Sequence, residues 1–345
     1  MNESRPVRMR DVAKVAGVSH QTVSRVINTP NLVQQQTRDR VLEIISMLNY
    51  RPHAAARALA VRRSGSIGVL DSGSQIHGQA IMFQTVETAA RRHGYATSVA
   101  AVAQGTPTAI KEAFQHLLDK GVEGIVIMGN TAQLASAAER VSSSVPVAMV
   151  TSSVTEYSTV LRVGVDSEGG SRAVVRHLAA NGRTRIAHIS GPRDWLDAQA
   201  REAGWRAELA LLRLPALDPV EGDWLPNTGY RAAHELLKRG GIDAIFAAND
   251  HMAMGALRAI SDVGLRVPDD VAVAGFDDLV GTNFLTPSLT TVHQPFEKIG
   301  EVCMASLLAA IAGESVDDVL LDAKLVVRES TGLPAQARIA WPRDA

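Results

Sequence analysis

From residue 64 onward the chain repeats one pattern: a short apolar run of strand length, then a helix-length stretch with apolar residues three and four apart. The strand-like runs fall at 66–70, 96–102, 124–128, 147–150, 185–189, 244–247 and 271–276. Helical spacing falls near 81–93, 108–120, 168–181, 198–212, 228–239, 250–263 and 296–312. Runs that are apolar on both faces and alternate with helices bury themselves as parallel sheets covered on both sides. In such folds a ligand sits beyond the carboxyl ends of the strands. Polar residues stand at those ends: Asp71 and Ser72, Thr151 and Ser152, Asn249 and Asp250, Asp277 and Asp278. Such groups suit a ligand rich in hydroxyls, because each hydroxyl both donates and accepts. Trp195 and Trp224, in loops beside polar residues, offer apolar faces for a sugar ring.

The first 63 residues obey a different rule. They hold eleven Arg and Lys against four acids, a net +7, whereas the remaining 282 hold 24 basic and 32 acidic groups, a net −8. The overall charge of −1 therefore hides a basic head on an acidic body, the distribution of a protein that grips a polyanion at one end. Val12, Ala13, Val15 and Ala16 make a short apolar helical face broken at Gly17. Ser19 is an N-cap for a second helix over 19–27, with Val23, Val26 and Ile27 inward. A third helix, about 37–48, carries Val41, Ile44, Ile45 and Leu48. Three short helices with a glycine turn between the first two make a helix-turn-helix, whose second helix enters the major groove. His20, Gln21 and Arg25 lie on its outer face, near the end that meets base edges. Gln pairs with adenine and Arg with guanine, each contact worth roughly 1–3 kcal/mol of discrimination. Thr22 and Ser24 are short hydroxyls suited to phosphate oxygens.

The segment DVAKVAGVSHQTVSRVIN, followed by TRDRVLEIISMLNYRPHAAARALA, resembles the DNA-binding headpiece of the LacI/GalR family of bacterial transcription regulators. The resemblance implies that His20, Gln21 and Arg25 read bases and that Thr22 and Ser24 meet the DNA backbone. It also implies that YRPHAAARAL is a hinge that becomes helical only on DNA, with Ala56 and Leu59 at the minor groove. The residues suit that role, since small alanines let a helix approach a groove wall and Leu59 is an apolar wedge. A segment of about ten residues is too short to be a stable helix alone in water. Two positions depart from the family pattern: Arg8 and Gln34 stand where hydroxyl N-caps usually do, each loss worth about 1 kcal/mol.

The blocks AREAGW, EGDW, AANDHMAMGALRAISDVGLRVPDDVAVAGFDD and PSLTTVHQPF resemble the periplasmic-binding-protein-like core of the same family, so the likeness runs over residues 7–334. The fold class it implies is α/β: an N-terminal all-α headpiece and hinge helix, then a two-lobed core with parallel sheets. The implied division is a headpiece at 1–50, a hinge at 51–64, a first lobe from 65–163 and 293–323, a second from 164–292 and 324–334, and a tail at 335–345. The chain would cross between lobes near 163–166, 292–295 and 322–325. Carried over by the resemblance are the effector contacts Ser72, Arg201, Trp224, Asn249, Asp277, Gln294 and Phe296. Arg201 suits vicinal hydroxyls as a bidentate donor, while Asn249 and Asp277 also read as helix caps. Thr151 stands where the sugar-binding pattern has an aspartate, and residues 74–82 depart from its apolar wall. A β-galactoside, cellobiose and xylo- or gluco-oligosaccharides all remain open.

The nucleotide-binding, zinc-protease and serine-hydrolase motifs are missing from the sequence, and its ten histidines show no metal-ligand spacing. Neither enzymatic activity nor a cofactor nor a metal is expected. Asp277 and Asp278 are adjacent, whereas glycosidase carboxylates face each other across the substrate. Cys303, the single cysteine, falls inside an apolar helix and suits a reducing cytoplasm. The N-terminus has no signal-like apolar run and no stretch nears the ~18 apolar residues of a membrane span, so a bacterial cytoplasmic, nucleoid-associated protein is expected. The expectation is a repressor of carbohydrate-utilisation genes, a homodimer on a pseudo-palindromic double-stranded operator, released by a small carbohydrate. The alternatives are a purine-type effector, a co-repressor or activator mode, and a sugar receptor without a DNA role, which would leave the basic head unexplained. The tail AQARIAWPRDA lacks the leucine heptad through which some of the family tetramerise, so a dimer is expected.

Overall fold

The computed structural model describes residues 7–50, 64–72, 77–102, 105–152 and 158–332. They fall into two compact units, divided between Ser64 and Gly65.

The first unit packs α1 (Met9–Ala16), α2 (His20–Asn28) and α3 (Gln35–Met47) around Val12, Val23 and Val41, all fully buried. Gly17 ends α1 at φ +65, in the left-handed region that costs a residue with a β-carbon roughly 1–2 kcal/mol. Ser19 caps α2 as expected, its Oγ accepting from the Thr22 N–H at 3.0 Å. At α1 the lost hydroxyl cap is offset from the other side: the Arg8 N–H donates to the Asp11 carboxylate at 2.8 Å. Gln34 makes no side-chain cap bond, and α3 begins two residues before the expected 37. Val15, expected inward, is 51% exposed. At about 100° per residue it stands roughly 105° from the centre of the arc formed by Val12, Ala13 and Ala16.

The second unit begins with β1 (Ser66–Asp71), α4 (His77–Arg92), β2 (Ala96–Ala101), α5 (Pro107–Asp119) and β3 (Gly124–Met128). It continues through α6 (Ala132–Val141), β4 (Val147–Val150), β5 (Leu161–Val165), α7 (Ser167–Ala180), β6 (Ile186–Ser190) and α8 (Leu196–Leu211). Then come β7 (Val220–Glu221), α9 (Pro226–Arg239), β8 (Ala244–Ala247), α10 (Asp250–Asp262) and β9 (Ala272–Ala274). The last elements are β10 (Thr291–His293), α11 (Phe296–Ile311), β11 (Val319–Leu321) and β12 (Lys324–Val326).

One parallel sheet runs β11-β5-β4-β3-β1-β2 and a second runs β7-β6-β8-β9. Each is covered on both faces. α5 and α6 pack on one side of the first sheet, through Phe114, Leu117 and Leu134. On its other side lie α4 and α11, through Val86, Ile299 and Met304. α9 and α10 cover one face of the second sheet through Leu236, Met252 and Ala256, and α7 and α8 cover the other through Val174, Leu178 and Trp205. Cys303 is buried within α11, and burial pushes its thiol up to about 12, as suits a packing residue. The chain leaves the first sheet after β5, returns with α11 and β11, and leaves again into β12, which pairs antiparallel with β10.

Strands β5 and β11 escape the apolar pattern for a physical reason. Arg162 and Gly164 interrupt β5, yet Arg162 is buried, with its guanidinium 3.6 Å from the Asp318 carboxylate just before β11. Its backbone N–H also donates to Asp318 at 2.9 Å, so this pair fastens the edge strand to the sheet.

Candidate nucleic-acid interface and effector cleft

On α2 the structure separates the two faces cleanly. Val23 and Val26 are buried, while His20, Gln21 and Arg25 are exposed. Thr22 and Ser24 are half-buried, and the Thr22 hydroxyl lies 2.9 Å from the Ser19 hydroxyl, inside the cap. Ala56 and Leu59 lie outside the described residues.

In the second unit a cleft of about 640 Å³, open mouth included, lies beyond the carboxyl ends of the parallel strands. That is within the usual range for small-molecule sites, about 300–1,000 Å³. Six of the seven expected effector residues line it: Arg201, Trp224, Asn249, Asp277, Gln294 and Phe296. Ser72 is not among the lining residues. It packs behind Gly129, where an added β-carbon would come within 2.6 Å of the Ser72 hydroxyl oxygen. Met82, in the 74–82 stretch, and Thr151 also line the cleft, and among the lining residues that went unnoticed in the sequence are the polar Asn130 and Asp197. Trp195, expected as an apolar face, also lines the cleft and meets Trp224 edge-on, with ring centroids 5.7 Å apart.

Arg201 projects from α8 into the cleft with 4% of its surface exposed. Its guanidinium stacks 4.0 Å above the Phe276 ring, donates to the Ala248 carbonyl at 2.5 Å and lies 3.5 Å from the Asp277 carboxylate. Asp277 follows β9 at φ +116 and accepts from the Gln294 amide at 2.6 Å. Burial pushes its carboxyl up to about 6, against the opposing pull of the Arg201 charge and the Gln294 hydrogen bond. Asn249 is the N-cap of α10: its Oδ1 accepts from the Met252 N–H at 2.9 Å and its Nδ2 donates to the Trp224 carbonyl at 3.1 Å. The capping role is therefore real, and it fixes Trp224, which sits at φ +73. Residues with side chains rarely hold such backbone angles outside places where function or packing demands them.

Among the described residues, five buried side-chain polar atoms have no hydrogen-bond partner. Three belong to lining residues: Arg201 Nε, Trp224 Nε1 and Asn130 Oδ1. Buried polar groups are rarely left unmet, so a cluster of two donors and one acceptor around one cleft marks a place for a polar ligand.

One side of the cleft is stitched shut. The Leu196 N–H donates to the Asn130 carbonyl at 2.8 Å and the Ala132 N–H to the Asp194 carbonyl at 3.1 Å. The Ser152 backbone N–H and hydroxyl both donate to the Asp197 carboxylate, at 3.1 and 2.9 Å. These bonds run from loops following the first sheet to the loop and first turn of α8 on the second.

Comparison with known proteins bears on both parts of the chain. Residues 8–53 match the family model described as bacterial regulatory proteins, lacI family, and residues 175–331 match a periplasmic binding protein-like domain. The lactose operon repressor of Escherichia coli strain K12 is 34% identical over 342 residues, covering 98% of this chain and 94% of that protein. The HTH-type transcriptional repressor PurR of Mannheimia succiniciproducens is 33% identical over 328 residues, covering 93% of this chain and 98% of that one. A crystal structure of the lac repressor dimer bound to operator and the anti-inducer ONPF superposes with a TM-score of 0.88 at 34% identity, covering 95% of this chain and all of that one. A likeness of this depth, sustained from the helix-turn-helix through the cleft, means that the chain belongs to the LacI family of bacterial regulatory proteins, DNA-binding transcriptional regulators.

Proposed function

We propose that the protein represses carbohydrate-utilisation genes in the bacterial cytoplasm, at the nucleoid, and that a small carbohydrate in the cleft releases it from DNA. Two copies hold a pseudo-palindromic operator, each placing α2 in a major groove, because twofold half-sites mirror a twofold protein. His20, Gln21 and Arg25 read base edges, Thr22 and Ser24 contact phosphates, and Ala56 and Leu59 meet the central minor groove. On this reading residues 1–50 are the headpiece and 51–64 the hinge. Residues 65–163 with 293–323 form the first lobe, 164–292 with 324–334 the second, and 335–345 a tail.

The observation that carries the effector half is the convergence of unpartnered Arg201, Trp224 and Asn130 atoms on one cleft beside Asp277, Asn249 and Gln294. Sugar hydroxyls, which donate and accept, meet such a mixed set; Trp195, Trp224 and Phe296 supply flat apolar cover for the ring. Calorimetry with mono- and disaccharides against the wild type and Asp277→Ala tests this. Heat of binding to at least one saccharide, lost in the variant, is expected; binding of purine bases in place of every saccharide would overturn the sugar reading.

A further inference from the structure

We propose that the cleft, taken as a saccharide site, selects an uncharged saccharide over its phosphorylated or acidic counterpart, with Asn130 as the discriminating contact on the first-lobe side. The inference rests on the saccharide reading and adds to it the charge class of the ligand and a residue that the sequence did not single out.

The charges come first. Arg201 is the one cation among the described lining residues, set against two carboxylates, Asp197 and Asp277. Its charge already faces Asp277 at 3.5 Å, and its Nη1 donates to the Ala248 carbonyl at 2.5 Å over the Phe276 ring, which leaves the Nε–H open but no unmatched positive charge. A phosphate or carboxylate entering the cleft would lose its water without gaining a free counter-charge, and an unpaired buried charge is heavily penalised.

The hydrogen-bond inventory points the same way. Asn130 is 4% exposed, lines the cleft, and its Oδ1 lacks a partner, so it calls for a donor. A hydroxyl supplies one, whereas an ionised phosphate set against this side chain carries acceptors only and would leave the amide oxygen unmet. The two unpartnered donors, Arg201 Nε and Trp224 Nε1, take the hydroxyl oxygens of the same ligand. Asn130 also accepts the Leu196 N–H through its own carbonyl. A ligand hydroxyl on its side chain is therefore sensed at a residue that ties the two sides of the cleft together.

The test is calorimetry on the full-length protein with lactose, cellobiose, xylobiose and glucose, each hexose-containing probe paired with its 6-phosphate. At least one neutral probe should bind, with its phosphate at least tenfold weaker. Asn130→Ala should weaken the neutral probe at least tenfold while its unliganded melting curve stays cooperative. If that variant does not fold, Asn130→Leu, close in volume but with no acceptor, replaces it, and the same loss is expected. Asp197→Asn, which removes one of the two lining carboxylates, should narrow the gap between the neutral probe and its phosphate. A phosphate ester that binds as tightly as its neutral parent, or an Asn130 variant with unchanged affinity, would overturn the inference and leave the saccharide reading standing. If no saccharide of either kind binds, both fall together.

Discussion

Asp277 sits under opposing demands at the base of the cleft. Burial favours its neutral form, as does the nearby charge of Asp197, while Arg201 at 3.5 Å and the Gln294 amide at 2.6 Å favour the carboxylate. The outcome is a carboxyl pushed up to about 6 from an ordinary 3.8. Between those values the folded protein holds a proton that the unfolded chain has released, so its stability at this site is greatest at the acid end and is withdrawn as pH rises through about 6. Thermal melting of the unliganded protein from pH 5 to 7.5 should show the wild type losing ground against Asp277→Asn as pH rises. Parallel curves would contradict the assignment. On the headpiece, Arg25→Ala should relax selection at one G·C pair by roughly 1–3 kcal/mol and leave the other operator positions unchanged. Selection from randomised half-sites reads this directly, and a uniform loss on all sequences would count against base reading.

At the scale of elements, single glycines decide the close contacts. α9 and α10 approach so nearly that a β-carbon on Gly255 would lie 2.0 Å from the Pro226 carbonyl and 2.6 Å from the Tyr230 nitrogen. Both neighbours are backbone, so Gly255→Ala should destabilise the second unit by about 2–3 kcal/mol in urea unfolding. Gly17→Ala meets no atom within 4 Å and should cost only the left-handed conformation, about 1 kcal/mol, seen as earlier melting of the headpiece. Elements of this kind were largely legible in the sequence. The outward trio on α2 follows from the Ser19 cap and the 3.6 period, and the second-sheet contacts follow from polar residues at strand ends. The rest was hidden by locality. Arg162 disguises a buried strand until Asp318, 156 residues away, is beside it. Asp197 reads as an acid placed to suit the first turn of α8, and Asn130 as an ordinary residue after β3. Only the fold brings the two into one cleft. Ser72 shows the converse, a strand-end hydroxyl whose place behind Gly129 no local pattern reveals.

For the whole molecule, the proposed release from DNA requires that the ligand favour a state with lower affinity for the operator. The bonds that join Asn130, Ala132 and Ser152 to residues 194–197 at the start of α8 lie at the cleft, since Asn130 and Asp197 also line it. Sedimentation at micromolar concentration should give a dimer, and a stable tetramer that collapses on removal of residues 335–345 would contradict the reading of the tail. The decisive measurement is fluorescence anisotropy of a labelled promoter fragment from the protein's own locus at moderate ionic strength, with and without the saccharide found by calorimetry. Sequence-selective binding that weakens between about 5- and 150-fold at saturating saccharide, and does not weaken in Asp277→Ala, is predicted. Failure of the folded protein to bind any such fragment, or an affinity untouched by the occupied cleft, would contradict it.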